Sequence, residues 1–153
     1  MLDENVIVEG ITGRDEKGIE DFSSLHLLSM IFRRCNSLFI ATSPYLHRKL
    51  RDKIDHYKRG MNRNELRSVS SIRLVESMLR DTRKNHFLDP EEPLAEESKL
   101  PNDDAPIVRL AVEAKAVLVS TDDRLADRIH TEKMDVKYGL QVVRPRKALE
   151  EAS

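Results

Sequence analysis

The chain has 153 residues, enough for one domain with a real core, and its 26 Lys and Arg against 27 Asp and Glu leave a formal net charge of -1. Near-neutrality excludes a whole-molecule field that would draw it to nucleic acid or an anionic membrane, so any such attraction must be local. Cys35 is the only cysteine, which excludes an intrachain disulfide and a cysteine-built metal knot, while the lack of a membrane-length apolar run and of a signal-peptide layout predicts a soluble, cytoplasmic protein.

Leu2 to Ile11 is apolar around Asp3 and Asn5 and reads as the end of a strand running into a helix. A charged turn follows from Gly13 to Gly18. Asp21, Ser23 and Ser24 offer caps for a helix whose Leu25, Leu28 and Phe32 stand at helical spacing. Ser37 to Ala41 is too short for a helix and suits a buried strand. Ser43-Pro44 opens a helix with Leu46, Leu50, Ile54 and Tyr57 as its stripe and Gly60 at its end. Another helix is predicted from about Asn62 to Arg83, burying Leu66, Val69, Ile72, Val75 and Leu79. Asn85 to Asp103 is loop-like, with a short strand near His86-Phe87-Leu88.

Asp103 or Asp104 caps the next helix, with Pro106 in its first turn. Ala116 to Ser120 is a strand, Asp122 to Lys137 a helix, Leu140 to Val143 a strand, and Pro145 opens a terminal helix. Strands alternating with helices predict the parallel α/β class. In that class a strand ending at Ser120-x-Asp122 delivers a carboxylate to the sheet edge where ligands bind. Asp104, at the start of the preceding helix, and Asp3 supply two more. Acids from separate elements suit a divalent cation. Simple helix capping is the competing account of Asp104 and Asp122, because both precede helices.

The five histidines form no zinc-ligand spacing with Cys35, and neither a Gly-rich phosphate loop nor a Gly-x-Ser-x-Gly elbow occurs. Five segments in order resemble the PIN domain, the fold of many metal-dependent ribonucleases. They are Asp3-Glu4-Asn5-Val6-Ile7-Val8, Thr42-Ser43-Pro44 running on to Leu50, Asp104-Ala105-Pro106 running on to Ala111, Leu118-Val119-Ser120-Thr121-Asp122, and Val142-Val143-Arg144-Pro145 with Leu149. The resemblance covers most of the chain. It implies a single three-layer α/β/α domain around a central, mainly parallel sheet of four or five short strands. It also implies a Mg²⁺ or Mn²⁺ site on Asp3, Asp104 and Asp122 that hydrolyses RNA. Ser120 would position a water or the Asp122 carboxylate, and Asn5 would hold Asp3 by a hydrogen bond. Asp103 and Asp123 are neighbours able to exchange roles with Asp104 and Asp122.

The chain departs from the family pattern twice. Only Met1 and Leu2 precede Asp3, where a full strand is usual, and Lys49 stands where a Glu is usual. Lys49 either faces the site, repelling or replacing the cation or pairing with Asp3 or Asp104 in a metal-free site, or is solvated while Asp52, Asp55 or Glu76 substitutes for the missing acid. Arg48, Lys49, Arg51 and Lys53 begin the most basic stretch and can contact RNA phosphates, against the plainer account of a solvated helix face. The small single-domain form resembles toxins of toxin–antitoxin pairs, implying an antitoxin partner, and the family's habit of pairing implies a homodimer. A catalytically impaired PIN fold that binds RNA or protein is the alternative.

Overall fold

The computed structural model describes residues 1–15, 17–34, 40–60, 66–101 and 103–153, with residues 66–68 described by their backbone alone. The protein is mixed α/β and mostly helical. Its helices are α1 (Glu4–Thr12), α2 (Ser23–Arg33), α3 (Pro44–Gly60), α4 (Leu66–Arg80), α5 (Ala105–Glu113), α6 (Asp123–Thr131), α7 (Met134–Tyr138) and α8 (Pro145–Ala152). Its strands are β1 (Ile40–Thr42), β2 (Asn85–Phe87), β3 (Leu118–Val119) and β4 (Val142–Val143).

Local chemistry sets most helix boundaries. Pro44 and Pro145 begin α3 and α8, where a missing N–H costs nothing. Gly13 ends α1 in the left-handed region at φ 67°, donating its N–H to Glu9 O at 2.7 Å. A Cβ there would also lie 2.9 Å from the Phe22 ring. The helix expected over Asp122 to Lys137 is broken at Lys133, which takes φ 56°. Leu125 and Ile129 are the buried face of α6, and one more regular turn would carry Glu132 or Lys133 into the core. The break puts fully buried Met134 there instead.

Two other expectations need correction. The buried face of α2 is Ser24, Leu27, Leu28 and Ile31, while Leu25 is half-buried and Phe32 exposed. The stripe is rotated because α2 is clasped by both α1 and α8, which makes a broader apolar contact than one row supplies. The helix expected to reach Arg83 stops at Arg80, since Asp81 folds back to accept the Arg83 N–H at 3.0 Å. The expected beginning of that helix at residues 62–65, like most of the strand expected at Ser37 to Ala41, lies outside the described residues.

Among the described residues the strands form two separate parallel pairs, β1 with β2 and β3 with β4, and not one sheet of four or five strands. The amino-terminal stub adds a third run beside β3: Leu2 bridges Val119 in parallel, Asp3 N donates to Val119 O, and Val119 N donates to Met1 O, both at 3.0 Å. The Met1 ammonium donates to Val117 O at 3.0 Å, and burial pushes its pKa down to about 6.

Alternate strand residues enter different cores. Leu2, Ile40, Val119 and Val143 pack with α1, α2 and α4, whereas Met1, Ala41 and Leu118 pack with α5, α6 and α7. This is the period-two alternation of strands covered on both faces. Lys84, only 1 % exposed, joins the first layer by donating to Ile31 O at 2.5 Å and Arg34 O at 2.6 Å. Its ammonium thus satisfies carbonyls at the carboxyl end of α2, where positive charge is favoured. Among the described residues no helix is long and apolar enough to cross a membrane.

Candidate functional site

Asp3 and Asp104 come together at a cleft bounded by the stub strand, β1 and the start of α5. The stub strand ends at Asp3, which is also the residue before α1. Helix α5 starts immediately after Asp104. Helix α3, launched from the end of β1, reaches Lys49 on its second turn. Asp3, Glu4, Thr42, Lys49, Asp103 and Asp104 line a common cleft of about 50 Å³ with apolar walls that include Leu46 and Ile107. That volume holds a few water-sized species.

Asp3 is 6 % exposed and is the most enclosed of these acids. Burial pushes its pKa up. Hydrogen bonds from the Ser120 hydroxyl, 2.6 Å from Oδ2, and from the Glu4 backbone N–H oppose that rise. Asp104 is pushed up to about 6, first by burial and then by the charges of Asp3 and Asp122, with Lys49 pulling the other way. It occupies the residue before α5, yet its side chain makes no capping hydrogen bond. Capping therefore does not account for its position.

Asp122 behaves differently. Its carboxylate caps α6, accepting from Arg124 N at 2.8 Å and Leu125 N at 3.4 Å, so the capping account holds for this residue. It is not part of the cleft wall. It stays coupled to the site through charge and through Ser120, whose Oγ accepts the Asp122 N–H at 3.1 Å while donating to Asp3. Ser120 thus ties the ends of the two neighbouring strands together.

The neighbouring acids separate by environment. Asp103 is exposed at the cleft, and Asp123 pairs with Arg144 at the surface, away from it. Asn5 lines the cleft on its exposed side, but the hydrogen bonds that hold Asp3 are those of Ser120 and the Glu4 N–H.

Lys49 faces the cleft, with Nζ 3.4 Å from Glu4 Oε2. The suggested substitute acids do not. Asp52 and Asp55 are exposed, and Glu76 is engaged by Lys58 at 2.5 Å. The acid beside Lys49 is Glu4, which sequence reasoning missed. Its signal was adjacency to Asp3 at the start of a helix, where a carboxylate is favoured by the helix dipole. Glu4 Oε2 is buried and accepts no hydrogen bond among the described residues.

Along the outer side of α3, Arg48 and Arg51 are exposed and Lys53 is half-buried; none of the three forms an ion pair among the described residues. Also among the described residues, no group of three or more His, Cys, Asp or Glu side chains is arranged to hold a metal ion. The arrangement is thus a buried carboxylate, a half-buried one and an acid–lysine pair in one small cleft, next to a basic helix. No protein-family model, no curated protein and no solved structure matches this chain.

Proposed function

We propose that the chain is a PIN-like domain whose acidic cleft hydrolyses RNA phosphodiester bonds with the help of Mg²⁺ or Mn²⁺. The observation that carries this reading is the convergence of Asp3 and Asp104, from separate elements, on one cleft where burial and like charge raise both pKa values. Carboxylates whose pKa values are raised by burial and by one another are a recurrent mark of functional sites. The parallel pairing and the alternation of strand residues between two helical cores support the three-layer part of the reading.

The donor set fits a hard cation: carboxylate oxygens, with Glu4 Oε2 beside them, which accepts no hydrogen bond among the described residues and has only the Lys49 ammonium at 3.4 Å. Mg²⁺ keeps several waters and needs only one or two carboxylates besides substrate phosphates, so Asp3 and Asp104 would suffice to hold it. Bound there, the cation would supply an acidified water and neutralise charge building on the phosphate. Ser120 keeps the Asp3 carboxylate oriented through its 2.6 Å hydrogen bond. Without the cation the Asp104 pKa lies at about 6, and a cation held by both carboxylates would offset the like charge that raises it. Asp122 orients the Ser120 loop and adds negative potential. Arg48 and Arg51 would draw RNA phosphates to the rim.

The test is cleavage of a fluorescent single-stranded RNA with Mg²⁺, Mn²⁺ or chelator, beside Asp104→Asn. Metal-dependent cleavage that disappears in the variant is expected. Cleavage unaffected by chelator or by the substitution would overturn the reading.

A second reading rests on the Lys49–Glu4 pair. An ammonium already opposite the acids supports a non-hydrolytic module that binds RNA or a protein, with Lys49 in the cation's place. Folded protein that binds RNA and never cleaves it would favour this. The toxin-like role, with an antitoxin protein or a second copy as partner, belongs to the first reading and is separated from RNA processing by co-purification with the product of an adjacent gene.

A further inference from the structure

We propose that Tyr45 and Phe87 form a base-stacking rim that seats single-stranded RNA beside the acidic cleft. This deepens the proposed function by giving its substrate class a recognition surface, and it rests on that reading.

Tyr45 is 55 % and Phe87 49 % exposed, so neither ring is spent on the core. Both stand at the carboxyl end of the β1–β2 pair. Phe87 is in register with Thr42, a cleft residue, and Tyr45 lies three residues beyond Thr42 in the first turn of α3. The Phe87 ring is braced: the His47 ring lies 5.2 Å away at a tilt of 56°, and His47 Nε2 donates to Leu79 O at 2.9 Å. An exposed ring held in one orientation loses little freedom when a base stacks on it.

The cations lie next to Tyr45 on α3. Arg48 and Lys49 follow Tyr45 by three and four residues and so share its side of the helix, and exposed Arg51 follows one turn after Arg48. Lys49 then turns into the cleft toward Glu4. Exposed rings and guanidinium groups that form no ion pair among the described residues match a single strand, whose phosphates seek the cations and whose unstacked bases seek aromatic faces. A duplex keeps its base faces covered and would leave both rings without a partner. Scattered exposed hydrophobics need no explanation. Two of the chain's seven Tyr and Phe at one strand edge, beside cations and hydrolytic acids, call for a ligand with flat faces.

The experiment is fluorescence anisotropy of the full chain in chelator, with a labelled single-stranded RNA, an abasic strand of equal length, and a duplex. Tyr45→Ala, Tyr45→Phe and Phe87→Ala are compared with the parent protein. The expected result is preference for the single strand over the abasic strand and duplex, weakened about five- to tenfold by each alanine change and kept by Tyr45→Phe. Equal affinity for base-bearing and abasic strands, unchanged affinity of both alanine variants, or no RNA binding would overturn the rim. Because binding is read without divalent cation, the rim can stand when cleavage fails. Cleavage can likewise stand with both rings idle, so the two readings fail separately.

Discussion

Replacing Asp104 by alanine should stabilise the protein at neutral pH, the opposite of what a helix-capping aspartate would do. Burial, Asp3 and Asp122 together push this carboxyl from 3.8 to about 6, so its ionised form is disfavoured in the folded state. The full shift corresponds to about 3 kcal/mol, and solvent screening of a partly exposed group reduces it to about 1–2 kcal/mol. The sign follows from linkage. An acid with a raised folded pKa binds more protons folded than unfolded between about pH 4 and 6, so its cost is absent at low pH and complete above pH 6. Urea denaturation of the parent, Asp104→Ala and Asp104→Asn in chelator at pH 7.5 and pH 4 measures this. Both variants should be more stable at pH 7.5 by about 1–2 kcal/mol, and the gap should shrink toward zero at pH 4. A capping role would instead make Asp104→Ala less stable by about 1 kcal/mol. A less stable alanine variant at pH 7.5, or a gap indifferent to pH, would refute the reasoning.

Lys49→Gln should tighten Mn²⁺ binding about tenfold and Lys49→Glu further, because removing an ammonium beside a divalent ion relieves about 1–2 kcal/mol of repulsion in a solvent-rich cleft. Calorimetric titration with unchanged affinity would show that Lys49 does not compete with the ion. Ser120→Ala removes the 2.6 Å hydrogen bond to buried Asp3 and should cost about 1–3 kcal/mol at neutral pH, read by denaturation; a cost below the error of the measurement would mean that water or Asn5 replaces it. Glu97 is held below the usual carboxylate range by its forked contact with Arg109, at 2.6 and 2.5 Å, and by the Leu94 N–H. Glu97→Gln should therefore cost about 1 kcal/mol at pH 7, and this advantage of the parent should vanish as pH falls through and below the ordinary Glu pKa. A difference that persists at pH 3 would assign the effect to packing.

Helix α3 was legible from its residues alone. Its proline start, its Leu46–Leu50–Ile54 stripe and its glycine end are all local signals, and local signals survive folding. The acids Asp3 and Asp104 were legible by their places at element ends. The buried side of α2 was not, because two neighbours clasp it and the contact, not the spacing, chooses which residues face inward. Nor was the grouping of the strands. Runs of two or three residues carry no usable period, so whether they join one sheet or two pairs depends on partners distant in the chain.

What the residues decided by themselves is the order of helices and short parallel strands, together with the chemistry on offer: carboxylates, a lone lysine among them, and a basic helix. Which of these groups meet was decided only in three dimensions. Glu4 rather than Asp52 or Glu76 stands against Lys49, Asp122 spends its carboxylate on the end of α6, and Ser120 joins Asp3 to the next strand. The physical reason is the range of the forces. Propensity and capping act within a turn or two, whereas desolvation and charge depend on whatever the fold brings within a few ångströms.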